Sequence, residues 1–218
     1  MNNENQHSPL NKKTYYHLIL DRSGSMSDCW NETMSGLHNQ FQKIRTLQEQ
    51  NPDQEIFVSL CIFDNVIEFP IAVIPARFAN FQQVLHHIHP RSNTALFDAV
   101  GDSIRHMEFH AGADLERNEA SVIVVVLTDG QENASTRYSA AMIRREIQRL
   151  EANGLWTFSF IGADFDITRT AESFQAGAHS AMNFSKANID MAFETMNDKM
   201  HDYMEMKKQG FVKKEFLN

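Results

Sequence analysis

The chain has 218 residues, 42% of them apolar and 22% charged, an ordinary globular composition with length enough for one large core. Lys and Arg total 20 against 28 Asp and Glu, a net charge of −8, which argues against a nucleic-acid partner. Two cysteines, Cys29 and Cys61, are too few for a disulfide framework or a cysteine-based zinc site, and the longest apolar run, 122–127, is far too short to cross a bilayer.

Residues 1–13 are polar and Asn-rich and read as a flexible arm. They carry no apolar stretch of a secretory leader, so a cytoplasmic location is expected, with no membrane partner. A first strand is predicted over 15–20. Met34, Leu37, Phe41, Ile44 and Leu47 recur at three- and four-residue spacing and predict a helix over 30–50, stopped by Asn51-Pro52-Asp53. The continuous apolar run 56–63 predicts a strand covered on both faces. After the Asp64-Asn65 turn, 66–74 reads as an edge strand, because Pro70 and Pro75 suit an edge.

A short helix is expected over 78–88 and a longer one over 95–109, followed by a loop at 112–118. The most hydrophobic stretch, 122–127, is the expected centre of a sheet. A polar loop over 130–137 leads to a helix over 140–152, a strand over 156–161, a helix over 166–175 and a short strand over 181–184. The last helix, 189–209, carries Ile189, Phe193, Met196, Met200, Tyr203 and Met204 on one stripe, expected to pack on the sheet. Lys207-Lys208 and Lys213-Lys214 read as solvated faces. Strands alternating with helices give an α/β, doubly wound, mostly parallel six-stranded sheet with one antiparallel edge strand. The whole reads as one domain, 14–209, with a tail at 210–218 and no internal repeat.

The chemistry gathers at the end of the first strand. Asp21-Arg22-Ser23-Gly24-Ser25 puts one carboxylate and two hydroxyls on a tight turn, with Gly24 letting the backbone bend. Thr94 and Asp129 supply matching oxygens from two later loops. Carboxylates and hydroxyls are hard ligands that suit Mg²⁺, with Mn²⁺ or Ca²⁺ as alternatives, rather than zinc or copper. Two carboxylates about 4 Å apart repel by roughly 4 kcal/mol at an effective dielectric near 20, and a divalent cation relieves that repulsion.

The Asp-x-Ser-x-Ser, Thr, Asp set, in this order, resembles the metal-ion-dependent adhesion site of the von Willebrand factor A (VWA), or integrin I-domain-like, family over nearly the whole chain. The resemblance implies strand order 3-2-1-4-5-6, with Asp21 and Asp129 at the ends of neighbouring strands, where ligands collect in such sheets. It implies that Ser23 and Ser25 coordinate directly, that Thr94, Asp21 and Asp129 do so directly or through water, and that the open position takes an Asp or Glu carboxylate of a partner protein. In integrin-type domains the last helix shifts when the site is liganded, so the same is conceivable here for 189–209.

Asp98, one helical turn after Thr94, reads as a partner behind the ligands or as a helix-start acid. Gln131 and Glu132, with Asn133, read as rimming the site and tuning access to it or, equally, as an exposed polar loop. Asp164 and Asp166 follow the fifth strand on the same sheet edge, where they are read as adding negative potential near the metal or, more simply, one of them as a helix N-cap. His86, His87 and His89 form a cluster, but neighbours on a helix point apart, and surface histidines are the plainer reading.

The reading is therefore a metal-dependent adaptor and not an enzyme, similar to bacterial VWA proteins of stress-response and tellurium-resistance clusters. One alternative is a metal-dependent phosphohydrolase of the haloacid-dehalogenase type, which needs a second Asp two residues after the first; Ser23 stands there. No Gly-x-Ser-x-Gly elbow, phosphate loop or Gly-x-Gly-x-x-Gly occurs. Another is a scaffold that dimerises through the last helix.

Overall fold

The computed structural model describes residues 11–81, 87–163, 181–212 and 216–217. Its strands are β1 (Lys13–Asp21), β2 (Glu55–Phe63), β3 (Ile67–Pro75), β4 (Ala120–Thr128), β5 (Trp156–Ala163) and β6 (Ala181–Phe184). Its α-helices are α1 (Trp30–Gln50), α2 (Leu96–Glu116), α3 (Ala140–Glu151) and α4 (Ile189–Lys208). The strands form one sheet in the order β3-β2-β1-β4-β5-β6. Every pairing is parallel except that of β3 with β2, so the proline-bearing strand is the antiparallel edge.

Side-chain alternation explains why β1 and β4 read as unbroken apolar runs. Tyr16, Leu18 and Leu20 project to one face together with Ile123, Val125 and Leu127, and there they meet α1 and α4. Tyr15 and Ile19 project to the other with Val122, Val124 and Val126, and there they meet α2 and α3. Both faces are covered, so nearly every residue of the two central strands is buried. The stripe expected on the last helix packs inward at all six positions. It approaches α1 so closely that a methyl on Gly36 would run into the ring of Phe193. Phe216, beyond α4, is buried against Tyr16 and Tyr203.

Three expectations are corrected. The helix after Thr94 does not end at Phe109 but runs through Gly112 to Glu116. Gly112 looks into open space, so it costs only about 1 kcal/mol of helix propensity. Met107, Ala111 and Leu115 continue the apolar stripe onto the sheet and outweigh that cost. The last turn is also tied down at Asp114, which accepts hydrogen bonds from Lys13 Nζ (2.9 Å) and Tyr15 OH (2.7 Å). Lys207 is buried rather than solvated. It donates to Thr14 Oγ1 (2.6 Å), Ser121 Oγ (2.8 Å) and the Lys13 carbonyl, pinning the end of α4 to the sheet. Desolvation there pushes its pKa well down. Of the helix expected over 78–88, a single 3-10 turn, Ala76–Phe78, lies at the start, and the chain is not helical at 79–81 or 87–88. Residues 82–86 and the helix expected over 166–175 lie outside the described residues.

Candidate metal centre

The register of β1 against β4 brings the two acidic strand ends together. Leu20 lies opposite Leu127, so Asp21 ends its strand beside Thr128, with Asp129 next along the chain. Asp21 is fully buried. Its Oδ1 accepts a hydrogen bond from the Ser23 amide (2.7 Å) and its Oδ2 one from Thr128 Oγ1 (2.5 Å). Burial nevertheless pushes its pKa up to about 6; the bonds from Thr128 and Ser23 oppose that rise, and the Asp129 charge adds to it.

After Ser23 the chain winds into a 3-10 helix, Gly24–Cys29, which turns the second serine back over the strand end. The Ser23 and Ser25 hydroxyls are 3.0 Å apart, and Ser25 Oγ donates to Asp129 Oδ1 at 2.7 Å. Ser25 is exposed while Asp21, Ser23, Thr94 and Asp129 are buried, so the cluster opens to solvent on the Ser25 side.

Thr94 is held from both directions. Its amide donates to Asn133 Oδ1 (2.9 Å), and its carbonyl accepts from the amides of Asn133 (3.0 Å) and Ala134 (3.2 Å). The preceding loop is stitched to the serine turn, where Gly24 donates to the Ser92 carbonyl (3.1 Å) and Arg91 to that of Arg22 (2.8 Å). Gly130 reports how far the oxygens converge. A methyl placed on it would lie 3.0 Å from Thr94 Oγ1 and 3.6 Å from both Asp21 Oδ2 and Ser25 Oγ. Side chains from β1, its turn, the Thr94 loop and the end of β4 thus ring one small space that the absent Cβ leaves clear. Two carboxylates and three hydroxyls around such a space fit a hard divalent cation.

The remaining acids organise the loop after β4. Glu132 accepts hydrogen bonds from the amides of Phe97 (2.9 Å), Ala134 (2.9 Å) and Ser135 (2.7 Å) and from Ser135 Oγ (2.6 Å). It thereby joins that loop to the first turn of α2. Asp98, also in that turn, accepts from the amides of Thr136, Arg137 and Tyr138 (2.9–3.1 Å). Partial burial pushes its carboxyl up, but those amides and the Arg137 guanidinium outweigh this and hold it below the usual range. Gln131 is exposed beside them. His87 and His89 are exposed; His86, Asp164 and Asp166 lie outside the described residues. Among the described residues no group of three or more His, Cys, Asp or Glu is placed to hold a metal.

Sequence reasoning missed the supports. Asp64, read only as a turn signal, is fully buried beneath the serine turn, with Arg22 Nε at 3.2 Å and Arg91 Nε at 2.6 Å. Arg22 also pairs with Glu68. Thr128 anchors Asp21, and Lys186 Nζ stands 2.6 Å from Asp129 Oδ2. An arginine inside the Asp-x-Ser motif and a lone Asp after the second strand were the available signals, but their pairing spans 42 positions (64 minus 22).

No family model matches the chain, and no curated protein does. Solved structures do match. A von Willebrand factor type A protein from Catenulispora acidiphila superposes with a TM-score of 0.58 at 18% identity, covering 87% of this chain and 43% of that one. The vWF domain of the type V pili tip protein Mfa5 from Porphyromonas gingivalis gives 0.63 at 10% identity, covering 88% and 96%. Proximal thread matrix protein 1 from the mussel byssus, with a zinc-occupied MIDAS motif, gives 0.58 at 12% identity, covering 89% and 47%. This chain thus spans less than half of the first and third and nearly all of the second. With its strand order, its helices on both faces and these superpositions, the chain has the von Willebrand factor type A fold.

Proposed function

We propose that the protein is a divalent-cation-dependent protein-binding module whose metal is held by Asp21, Ser23, Ser25, Thr94 and Asp129. The observation that carries this reading is the convergence of Thr94 Oγ1, Asp21 Oδ2 and Ser25 Oγ on the space beside Gly130. When bound, the cation supplies a Lewis-acidic position for an outside oxygen ligand, and the carboxylate of an Asp or Glu on a partner protein suits it. The chain's own part is to present the site: Thr128 and the Ser23 amide orient Asp21, Asn133 orients Thr94, and Ser25 stands on the exposed side of the cluster. The zinc-occupied MIDAS motif in the mussel protein supports a divalent ion in this fold, and Mg²⁺ is the ion we favour here for its match to hard oxygens.

A binding role, rather than catalysis, is supported by Asp21 itself. Both its oxygens accept hydrogen bonds in a fully buried position, which suits a structural anion more than a nucleophile. The pilus-tip and byssal neighbours support protein partners in the same sense. No helix among the described residues is long and apolar enough to cross a membrane. A bacterial stress-response assembly of the tellurium-resistance kind remains our proposal for the setting.

The experiment is an affinity capture with wild type and with an Asp21→Ala/Asp129→Ala variant, each in Mg²⁺ and in EDTA. Partners held only by wild type in Mg²⁺, and released by free glutamate-rich peptide, support the reading. Partners held equally in all four arms overturn it.

A further inference from the structure

We infer that Lys186 is an internal competitor for the divalent cation, holding Asp129 in the metal-free protein and having to leave before the ion can complete its site. The inference rests on the metal reading given above. Lys186 Nζ lies 2.6 Å from Asp129 Oδ2 and donates to the Ser25 carbonyl at 2.7 Å. One ammonium thus touches the carboxylate of one proposed ligand and the backbone of another. With Ser25 Oγ on Oδ1 and Lys186 at Oδ2, both oxygens of Asp129 are engaged.

The contact is enclosed. The Asp129 side chain has no exposure and that of Lys186 only 20%, so solvent and salt screen it weakly. An ammonium and a hard divalent ion seek the same anionic oxygens, and two cations on one shielded carboxylate repel. The neighbouring arginines do not take this place, since Arg22 and Arg91 are held by Asp64 and Glu68. Lys186 is therefore placed to neutralise Asp129 until a cation of higher charge replaces it.

The lysine is also a tether. It opens a 3-10 turn, Lys186–Asn188, that leads directly into α4 and packs against the 3-10 helix Gly24–Cys29. Occupation of the site by metal and closure of this tether exclude each other. Because the two compete for one carboxylate, removing the ammonium raises metal affinity by the factor by which the closed tether had lowered it.

The test is calorimetric titration of Mn²⁺ and Mg²⁺ into the full chain as wild type, Lys186→Met and Lys186→Arg, with melting curves in EDTA. The expected result is Mn²⁺ binding about tenfold or more tighter in Lys186→Met, within the usual span of site-to-site coupling. Lys186→Arg, which keeps a cation there, stays near wild type. In EDTA the Met variant melts below wild type, and the gap closes in millimolar Mg²⁺. Lys186→Gln serves as the second neutral variant if the Met form does not fold. Equal or weaker Mn²⁺ binding by a cooperatively melting neutral variant overturns the inference while the metal site stands. Absence of Mn²⁺ binding in wild type and variants alike overturns the metal reading as well.

Discussion

Ser25 Oγ donates a 2.7 Å hydrogen bond to Asp129 Oδ1, joining the turn after β1 to the end of β4 across 104 positions of sequence. That bond holds two of the proposed metal ligands together at the end of the sheet. A ligand that binds only the folded state stabilises it by mass action, about 2.7 kcal/mol at a hundredfold excess over Kd. For a domain of this length that amounts to roughly 5–10 °C in Tm. Scanning calorimetry of wild type in Mg²⁺ against EDTA is expected to show this rise. Asp129→Ala is expected to melt cooperatively with no rise at all.

Gly130→Ala tests the space itself. The added methyl would lie 3.0 Å from Thr94 Oγ1, tighter than ordinary contact, and within 3.6 Å of Asp21 Oδ2 and Ser25 Oγ. Thr94 must give way by a few tenths of an ångström, which costs stability little, on the order of 1 kcal/mol. Metal affinity is expected to fall at least tenfold, read by titration calorimetry. An unchanged Kd would mean that the oxygens around Gly130 do not hold the ion.

Asp64 carries the serine turn from beneath. It is fully buried between Arg22 and Arg91, and Arg22 is nearly so. Breaking a buried ion pair costs about 3–5 kcal/mol; here half-exposed Glu68 still faces the Arg22 guanidinium, which puts the loss at the low end of that range. Asp64→Ala is therefore expected to lose that much in urea unfolding. Asp64→Ala with Arg22→Met is expected to recover part of it, because the buried guanidinium that lost its Asp64 partner is gone. A double variant no better than the single would show that the ion pair is not what steadies the turn.

His17 governs the acid limb. It lies in β1 beside Ser59 of β2, fully buried, and neither ring nitrogen has a hydrogen-bond partner among the described residues. Burial and, to a smaller extent, the charge of neighbouring His106 lower its pKa from 6.5 to about 3. Between those values the unfolded chain holds a proton at this ring that the folded chain does not. Stability must therefore fall as pH drops from about 6.5 towards 3, by about 1.4 kcal/mol per pH unit from this group, and level off above. His106 is itself shifted down by burial and then by His110, and adds in the same direction. Urea unfolding at pH 7 and pH 5 is expected to show about 2 kcal/mol less acid loss in His17→Leu than in wild type. Equal losses in the two proteins would rule His17 out as the source.

Periodicity carried most of the fold. The α1 stripe and the apolar runs of β2 and β4 are local signals, and the structure extends each by at most two residues at an end. The end of α2 was not legible, because Gly112 in sequence looks the same whether the helix beyond it has a sheet to rest on or not. Lys207 was misread for the same reason: its three oxygen partners come from residues 13, 14 and 121.

The sequence by itself determined the α/β architecture, the two acidic strand ends and a set of hard oxygen donors, because these follow from short-range patterns and from side-chain chemistry. Only the tertiary structure decided where the donors meet, since convergence depends on the register of β1 with β4 and on the missing side chain of Gly130. It also decided the supports, Asp64 under the turn, Asn133 behind Thr94 and Lys186 against Asp129, each a charge or hydrogen bond between segments far apart in the chain. Such contacts have no period to read, and burial, which sets their strength, exists only once the chain has folded.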